Sequence, residues 1–282
     1  MCRLPAPESR NVSFLSFYNP GRQMGIITYS SSQSHWLALA IGNSRVHWAW
    51  FEGDRLSHAG HTTHLNALQV KTLSFLPVES LIEPDIWMAS VVPEQTLLWE
   101  FRSPQVITLD HIPITNLYPT LGIDRALALL AAGERWEWPV LVVDGGTALT
   151  LTGADGDRQL IGGVILPGLG LQFQSLANQT AQLPQLQVPE QLPSRWARTT
   201  DQAIQSGILY TVTAGLRDFL GDWWQKFPDS NVALTGGDGA ILLTYLREKM
   251  PDQIDRLQLE PRLVFQGMQI VRRKCITSVQ NT

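Results

Sequence analysis

Cysteine is nearly missing from this 282-residue chain: Cys2 and Cys275 are its only two, at opposite ends. That leaves neither a disulfide framework nor a clustered thiolate metal site, and points to a reduced, cytoplasmic setting. An excess of positive charge is missing too. Twenty-one Lys and Arg against 25 Asp and Glu give a formal net charge of -4 and a pI near 5.9, so no basic stripe is present to follow a phosphate backbone and nucleic acid is not an expected partner. No apolar run approaches the ~20 residues of a membrane helix; the stretch Trp36 to Ile41 soon meets Gly42, Asn43, Ser44 and Arg45, and no membrane association is expected. Two common nucleotide-binding signatures are also absent. There is no G-x-x-x-x-G-K-[ST], and no G-x-G-x-x-G opens a helix after a strand.

What is present suits a sizeable α/β globule. Hydrophobic residues make up 44% of the chain and charged ones 16%, enough for a large core in one two-lobed body. Residues 1–34 are rich in Ser, Asn, Gly and Pro and lack the charged leader and apolar segment of a secretion signal. They read as a disordered tail, with Met24 as an alternative start. Regular structure is expected from Trp36: a strand at Leu37 to Ile41, the turn Gly42-Asn43-Ser44, and a strand at Arg45 to Phe51 with period-two alternation. Further strands are expected at Ile86 to Val92, Val106 to Leu109, Gln159 to Leu166 and Val232 to Leu234. Helices are expected at Ile123 to Gly133, Gln174 to Ala181 and Thr200 to Leu220, and Pro184 to Ser194 reads as an exposed connector.

A hundred residues after the first hairpin its plan returns. Val140 to Val143 is apolar, Asp144-Gly145-Gly146-Thr147 turns, and Ala148 to Thr152 alternates. Gly42 aligns with Gly145 if no gap is allowed, or with Gly146 after a one-residue shift, and the register stays open by one. Either way the chain carries a duplicated strand–turn–strand unit. Small turn residues let backbone N–H groups approach an anion, and Ser44 and Thr147 add hydroxyls, so paired turns of this kind suit phosphate binding. Lobes at 35–135 and 136–282 follow from the repeat.

Several further pieces come in a fixed order. Tyr118-Pro119, Gly122-Ile123-Asp124-Arg125, Gly162-Gly163, Pro167-Gly168, Thr180-Ala181-Gln182-Leu183-Pro184, Thr200 with Ser206-Gly207, and Thr235-Gly236-Gly237 join the two turns. Over about Trp36 to Met268 this order resembles the type III pantothenate kinases. The resemblance implies two ribonuclease-H-like lobes of the actin-like ATPase superfold, with one phosphate hairpin in each. It also implies ATP-dependent phosphorylation of pantothenate to 4′-phosphopantothenate, the first step of coenzyme A synthesis, by a cytoplasmic homodimer. In that reading Asp124 is the catalytic base, and Tyr118, Gly122, Ile123, Asp124, Arg125 and Thr200 contact pantothenate. Residues 40–47 (Ala40, Ile41, Gly42, Asn43, Ser44, Arg45, Val46 and His47) with Thr147, Gly236 and Gly237 contact ATP, which carries Mg²⁺. Asp144 holds a monovalent cation, K⁺ or NH₄⁺.

One position departs from the family pattern. Its first phosphate motif reads D-x-G-N-[ST], whereas this chain has Ala40-Ile41-Gly42-Asn43-Ser44. The missing carboxylate supports an alternative reading, a non-catalytic ligand-binding or regulatory protein of the same fold. Retention of Asp124, Arg125, Asp144 and Thr147 favours the enzyme. Of the ten Trp, Trp48 and Trp50 are expected in the core rather than as a stacking platform. The spacing His58-x-x-His61-x-x-His64 gives a weak metal signal, and a solvated loop is the expected outcome.

Overall fold

The structure, a computed structural model, describes residues 35–77 and 83–280. The expected tail at 1–34 lies outside the described residues. The chain opens with β1 (His35–Ile41), β2 (Val46–Glu52) and β3 (Arg55–Thr62), then α1 (Ala67–Thr72), β4 (Asp85–Ser90), α2 (Pro93–Leu97), β5 (Gln105–Val106) and α3 (Ile123–Trp136). The order then repeats with β6 (Val140–Gly145), β7 (Ala148–Ala154), β8 (Leu160–Pro167), α4 (Leu169–Gln179), α5 (Thr200–Lys226), β9 (Asn231–Thr235), α6 (Gly239–Lys249), β10 (Leu257–Leu259) and α7 (Leu263–Gln280). Two five-stranded sheets result, ordered β3-β2-β1-β4-β5 and β8-β7-β6-β9-β10. In each, the first three strands are antiparallel and the last two run parallel to the first. The repeat seen in one hairpin therefore extends to a whole sheet.

Hydrogen bonds at the turns settle the register. Gly42 N donates to Arg45 O at 2.9 Å and Gly146 N to Ala148 O at 3.1 Å, while Val91 N reaches Ile41 O at 3.0 Å and Asp238 N reaches Gly145 O at 2.8 Å. Before the turn, Ala40-Ile41-Gly42 thus corresponds to Asp144-Gly145-Gly146, the shifted alignment. After it, Arg45-Val46 corresponds to Ala148-Leu149, the gapless one. Both alignments hold because residues 42–45 separate the paired Ile41 and Val46, whereas only 146–148 separate Gly145 and Leu149.

Strand alternation assigns the faces. Leu37, Leu39, Ile41, Val46, Trp48 and Trp50 enter a core of the first sheet with Val70, Met88 and Trp99, so the two tryptophans are packing residues as expected. The opposite face carries Trp36, Ala38, Ala40, Ala49, Phe51 and Ala89 and packs on α3 and α7, which also cover Val140 and Val142 of β6. There Trp36 stacks on Phe51 with centroids 4.1 Å apart and donates its Nε1–H to Gly53 O at 2.9 Å, a burial worth about 2–3 kcal/mol. Wedged between two sheets, α3 is buried from Ile123 to Gly133 except at Asp124, which explains its nearly all-round apolar sequence. The far face of the second sheet packs on α4, α5 and α6.

Three elements differ from expectation. The strand expected at 106–109 is only the two-residue β5, followed by a 3₁₀ turn at Leu109–His111. Helix α4 starts at Leu169, five residues earlier than expected, directly after the Pro167-Gly168 break. The connector 184–194 has no regular element, yet Leu186, Val188 and Leu192 pack on the second core. Its carbonyls are used as well: Tyr210 Oη donates to Pro193 O at 2.9 Å, and Tyr245 Oη to Pro189 O. Proline has no N–H with which to join a ladder, so this strap is held through side chains. Among the described residues no helix is long and apolar enough to cross a membrane.

Candidate active site

The two hairpin turns meet. Thr147 Oγ1 donates to Ser44 Oγ at 3.0 Å across 103 residues of sequence, which brings the duplicated turns into one cleft. His64 steadies the first turn by donating from Nε2 to Gly42 O at 2.9 Å. The second turn is held from below by Gly168, whose N–H donates to Thr147 O at 2.9 Å. A Cβ at Gly168 would stand 2.1 Å from Gly146 O, so only glycine permits the approach. Gly236, at φ +81, brings the end of β9 equally close; a Cβ there would lie 2.3 Å from Asp144 Oδ1 and 2.6 Å from Gly145 O.

Asp144, the last residue but one of β6, lies opposite Thr150 on β7 and Thr235 on β9. Burial, then the neighbouring Asp124 charge, push its carboxyl up from 3.8 to about 6, against the pull of Arg125. Asp124 lies in the first turn of α3, where Oδ1 accepts from the Arg125 backbone N–H at 2.9 Å, a position that suits a carboxylate. The buried Arg125 is fixed by the second lobe: Nε donates to Thr152 Oγ1 at 2.9 Å and Nη2 to Leu151 O at 3.1 Å. Its Nη1 donates to Tyr118 Oη at 3.0 Å. Two carboxylates, one oriented guanidinium, a phenol and two anion-suited turns are thus gathered where the lobes face each other.

Other expected site residues fall differently. Ile41, Val46 and Ile123 are buried with side chains in the apolar cores, so only their backbones border the cleft. Ala40 faces His47 across β2 and Ala89 across β4. Asn43, Ser44, Arg45 and His47 are exposed around the first turn, and Gly237 precedes α6. Thr200 begins α5, which packs on the other face of the second sheet from α3, so a single chain puts Thr200 in a different layer from Asp124. The three spaced histidines separate: His58 meets Ser57, His61 meets Arg45, and His64 meets Gly42. Among the described residues no group of three or more His, Cys, Asp or Glu could hold a metal ion. Thr152 and Asp238 escaped the sequence reading. Thr152 left one signal, a hydroxyl on an alternating strand with both faces buried, and burial raises the Asp238 carboxyl beside Gly145.

Comparison with known proteins supplies the family and the fold. The sequence profile of the type III pantothenate kinase family matches residues 36–220. A type III pantothenate kinase of Nostoc sp. is 49% identical over 261 residues, spanning 85% of this chain and 95% of that protein. One from Synechocystis sp. is 45% identical over 246 residues, spanning 86% and 93%. Among solved structures, a protein described as a Baf family transcriptional activator from Campylobacter jejuni superposes with TM-score 0.57 at 21% identity, over 87% of this chain and all of the other. MreB 5 of Spiroplasma citri bound to AMPPNP superposes with TM-score 0.52 at 11% identity, over 88% and 98%. The structural likenesses establish the actin-like ATPase fold, and on profile and sequence identity the chain belongs to the type III pantothenate kinase family.

Proposed function

We propose that the protein transfers the γ-phosphoryl group of ATP to the primary hydroxyl of pantothenate, giving ADP and 4′-phosphopantothenate. The meeting of the two turns through Thr147 and Ser44, with Asp124 and Asp144 beside it, is the observation that carries the reading. Backbone N–H groups of 42–44 and 145–147 and the two hydroxyls cradle the phosphates, while Gly236 and Gly237 let the backbone approach the adenosine. Asp124, held at one oxygen by the Arg125 N–H, takes the proton from the attacking hydroxyl as that oxygen bonds to phosphorus and ADP leaves. Arg125 uses three of its five N–H groups on Thr152, Leu151 and Tyr118. The remaining two suit the pantothenate carboxylate, with Tyr118 and Gly122 beside it. Thr200 would serve the pocket from a subunit boundary in a cytoplasmic homodimer, with lobes at 35–135 and 136–282.

A monovalent cation fits Asp144. Its desolvated carboxylate lies under the charge of a second one, and a cation offsets that repulsion and, with nucleotide bound, part of the phosphoryl charge. For Mg²⁺ the residues fit a lightly held ion carried by ATP oxygens and water, since no three-ligand protein cluster is present among the described residues. The non-catalytic alternative is not favoured, as the relatives at 45–49% identity are named kinases. A coupled ADP-release assay with and without pantothenate tests the proposal. Pantothenate-dependent turnover, raised by potassium, is expected; ADP release indifferent to pantothenate would defeat it.

A further inference from the structure

The first turn has no carboxylate where the second has Asp144, but it has a cationic group that the second does not match. His47 on β2 pairs cross-strand with Ala40 on one side and with His61 of β3 on the other, and residues paired across strands share a face. That face is the one Ala40 and Ala89 share with α3, and its open end carries Ser44, the residue that meets Thr147. The imidazoles of His47 and His61 stand 5.8 Å apart. Arg45 Nη1 lies 3.0 Å from His61 Nε2; a guanidinium only donates, so His61 Nε2 accepts and carries no proton. Desolvation of the ring first, and then His61 and Arg45, hold His47 below the ordinary imidazole value. His64 is engaged with Gly42 O.

We infer that Arg45, His47 and His61 form a proton-coupled clamp for the terminal phosphates of the nucleotide, with His61 as its positioning residue. Without nucleotide, Arg45 is held back on β3 by His61. An arriving phosphate accepts the Arg45 N–H, His61 Nε2 is released and binds a proton given up by the buffer, and its imidazolium joins the Arg45 guanidinium as a second cationic donor to the anion. The clamp supplies by cations what the missing carboxylate would have supplied by ordering Mg²⁺, and it makes nucleotide affinity rise as pH falls through the imidazole range. This inference rests on the kinase reading for the presence of ATP in the cleft.

Calorimetric titration of Mg·ATP into the full chain, at pH 6.5 and 8.5 and in two buffers of different ionisation enthalpy, tests it. Proton uptake on binding is expected, with ATP bound about fivefold tighter at pH 6.5 than at 8.5 beyond the change due to ATP's own titration. His61→Gln keeps an acceptor for Arg45 but cannot take up the proton; it should lose that extra pH dependence and the uptake while its thermal unfolding stays unchanged. His61→Lys, a fixed charge, should bind with little pH dependence, an outcome that a merely structural role would not give. If the unmodified protein binds ATP without proton uptake, or His61→Gln keeps the wild-type pH dependence, the clamp is wrong and the kinase reading survives. If the unmodified protein binds no ATP at either pH, both fall together.

Discussion

The two hairpins occupy equivalent places in equivalent sheets, and their turns differ in length by one residue and in charge by sign. In the second, Asp144 sits under β9 with its carboxyl pushed up to about 6. In the first, the equivalent Ala40 sits under β4 as part of the core, and Arg45, His47 and His61 surround the turn. In the proposed function, one scaffold would thus present an anion to a cation on one side of the cleft and cations to phosphates on the other. Duplication supplies the geometry, and single substitutions at matched positions divide the tasks.

Asp124→Asn should break the division most severely, since the cleft would keep both turns and lose its proposed base. A fall in kcat of about 10²-fold or more with ATP affinity nearly unchanged is expected; near wild-type turnover would remove Asp124 from the mechanism. Next, Asp144→Asn removes from the second turn the carboxylate that the first lacks and should abolish activation by potassium or ammonium. It has a stability signature as well. Because the folded value, about 6, lies above the ordinary 3.8, the folded chain keeps a proton that the unfolded chain has released over about pH 4–6. In a cation-free buffer the Asp144 contribution to stability therefore falls as pH rises through that window, by roughly 3 kcal/mol in full. Denaturation of Asp144→Asn over the same range should lack this slope, and an unchanged slope would assign it to other groups.

Ala40→Asp performs the converse exchange and makes the first turn resemble the second. The new carboxylate would face His47 across the ladder and should tighten Mg·ATP binding by about 1–2 kcal/mol, with a shallower dependence on Mg²⁺ concentration. Weaker binding in calorimetry would show that the cationic arrangement works only without an acid. Ser44→Ala is the mildest change. It deletes the hydroxyl that accepts from Thr147, an exposed bond worth about 0.5–1 kcal/mol, and should raise the KM for ATP roughly threefold while leaving the KM for pantothenate alone.

Much of this comparison was legible in the residues. The alternation of Val46, Trp48 and Trp50, the apolar run Val140 to Val143 and the small residues after each strand mark both hairpins, because a half-buried sheet imposes a period of two and a tight turn imposes small side chains. Asp124 and Asp144 stood out by their places in ordered motifs. The sequence left β3 with its histidines as a vague strand-turn region, since no residue of Arg55 to Thr62 is buried and the stretch carries no apolar rhythm. It gave no account of α6 and β10, which close the second repeat, or of α7, which packs back on α3. The connector 184–194 is largely exposed, as its prolines suggest, but proline content says nothing of where Leu186 and Val188 are pressed.

By itself, then, the sequence determined the α/β class, the duplication, the chemistry of the two turns and the family, all of which depend on local spacing and residue type. Only the tertiary structure decided the rest. The register was undecidable from sequence because both alignments are correct, one on each side of a turn whose length only the backbone hydrogen bonds reveal. The contact of Thr147 with Ser44, the anchoring of Arg125 on Thr152 and the approach of His61 to Arg45 span 103, 27 and 16 residues. Such pairings are set by how sheets and helices pack, and no local pattern records which distant side chains packing will bring within hydrogen-bond reach.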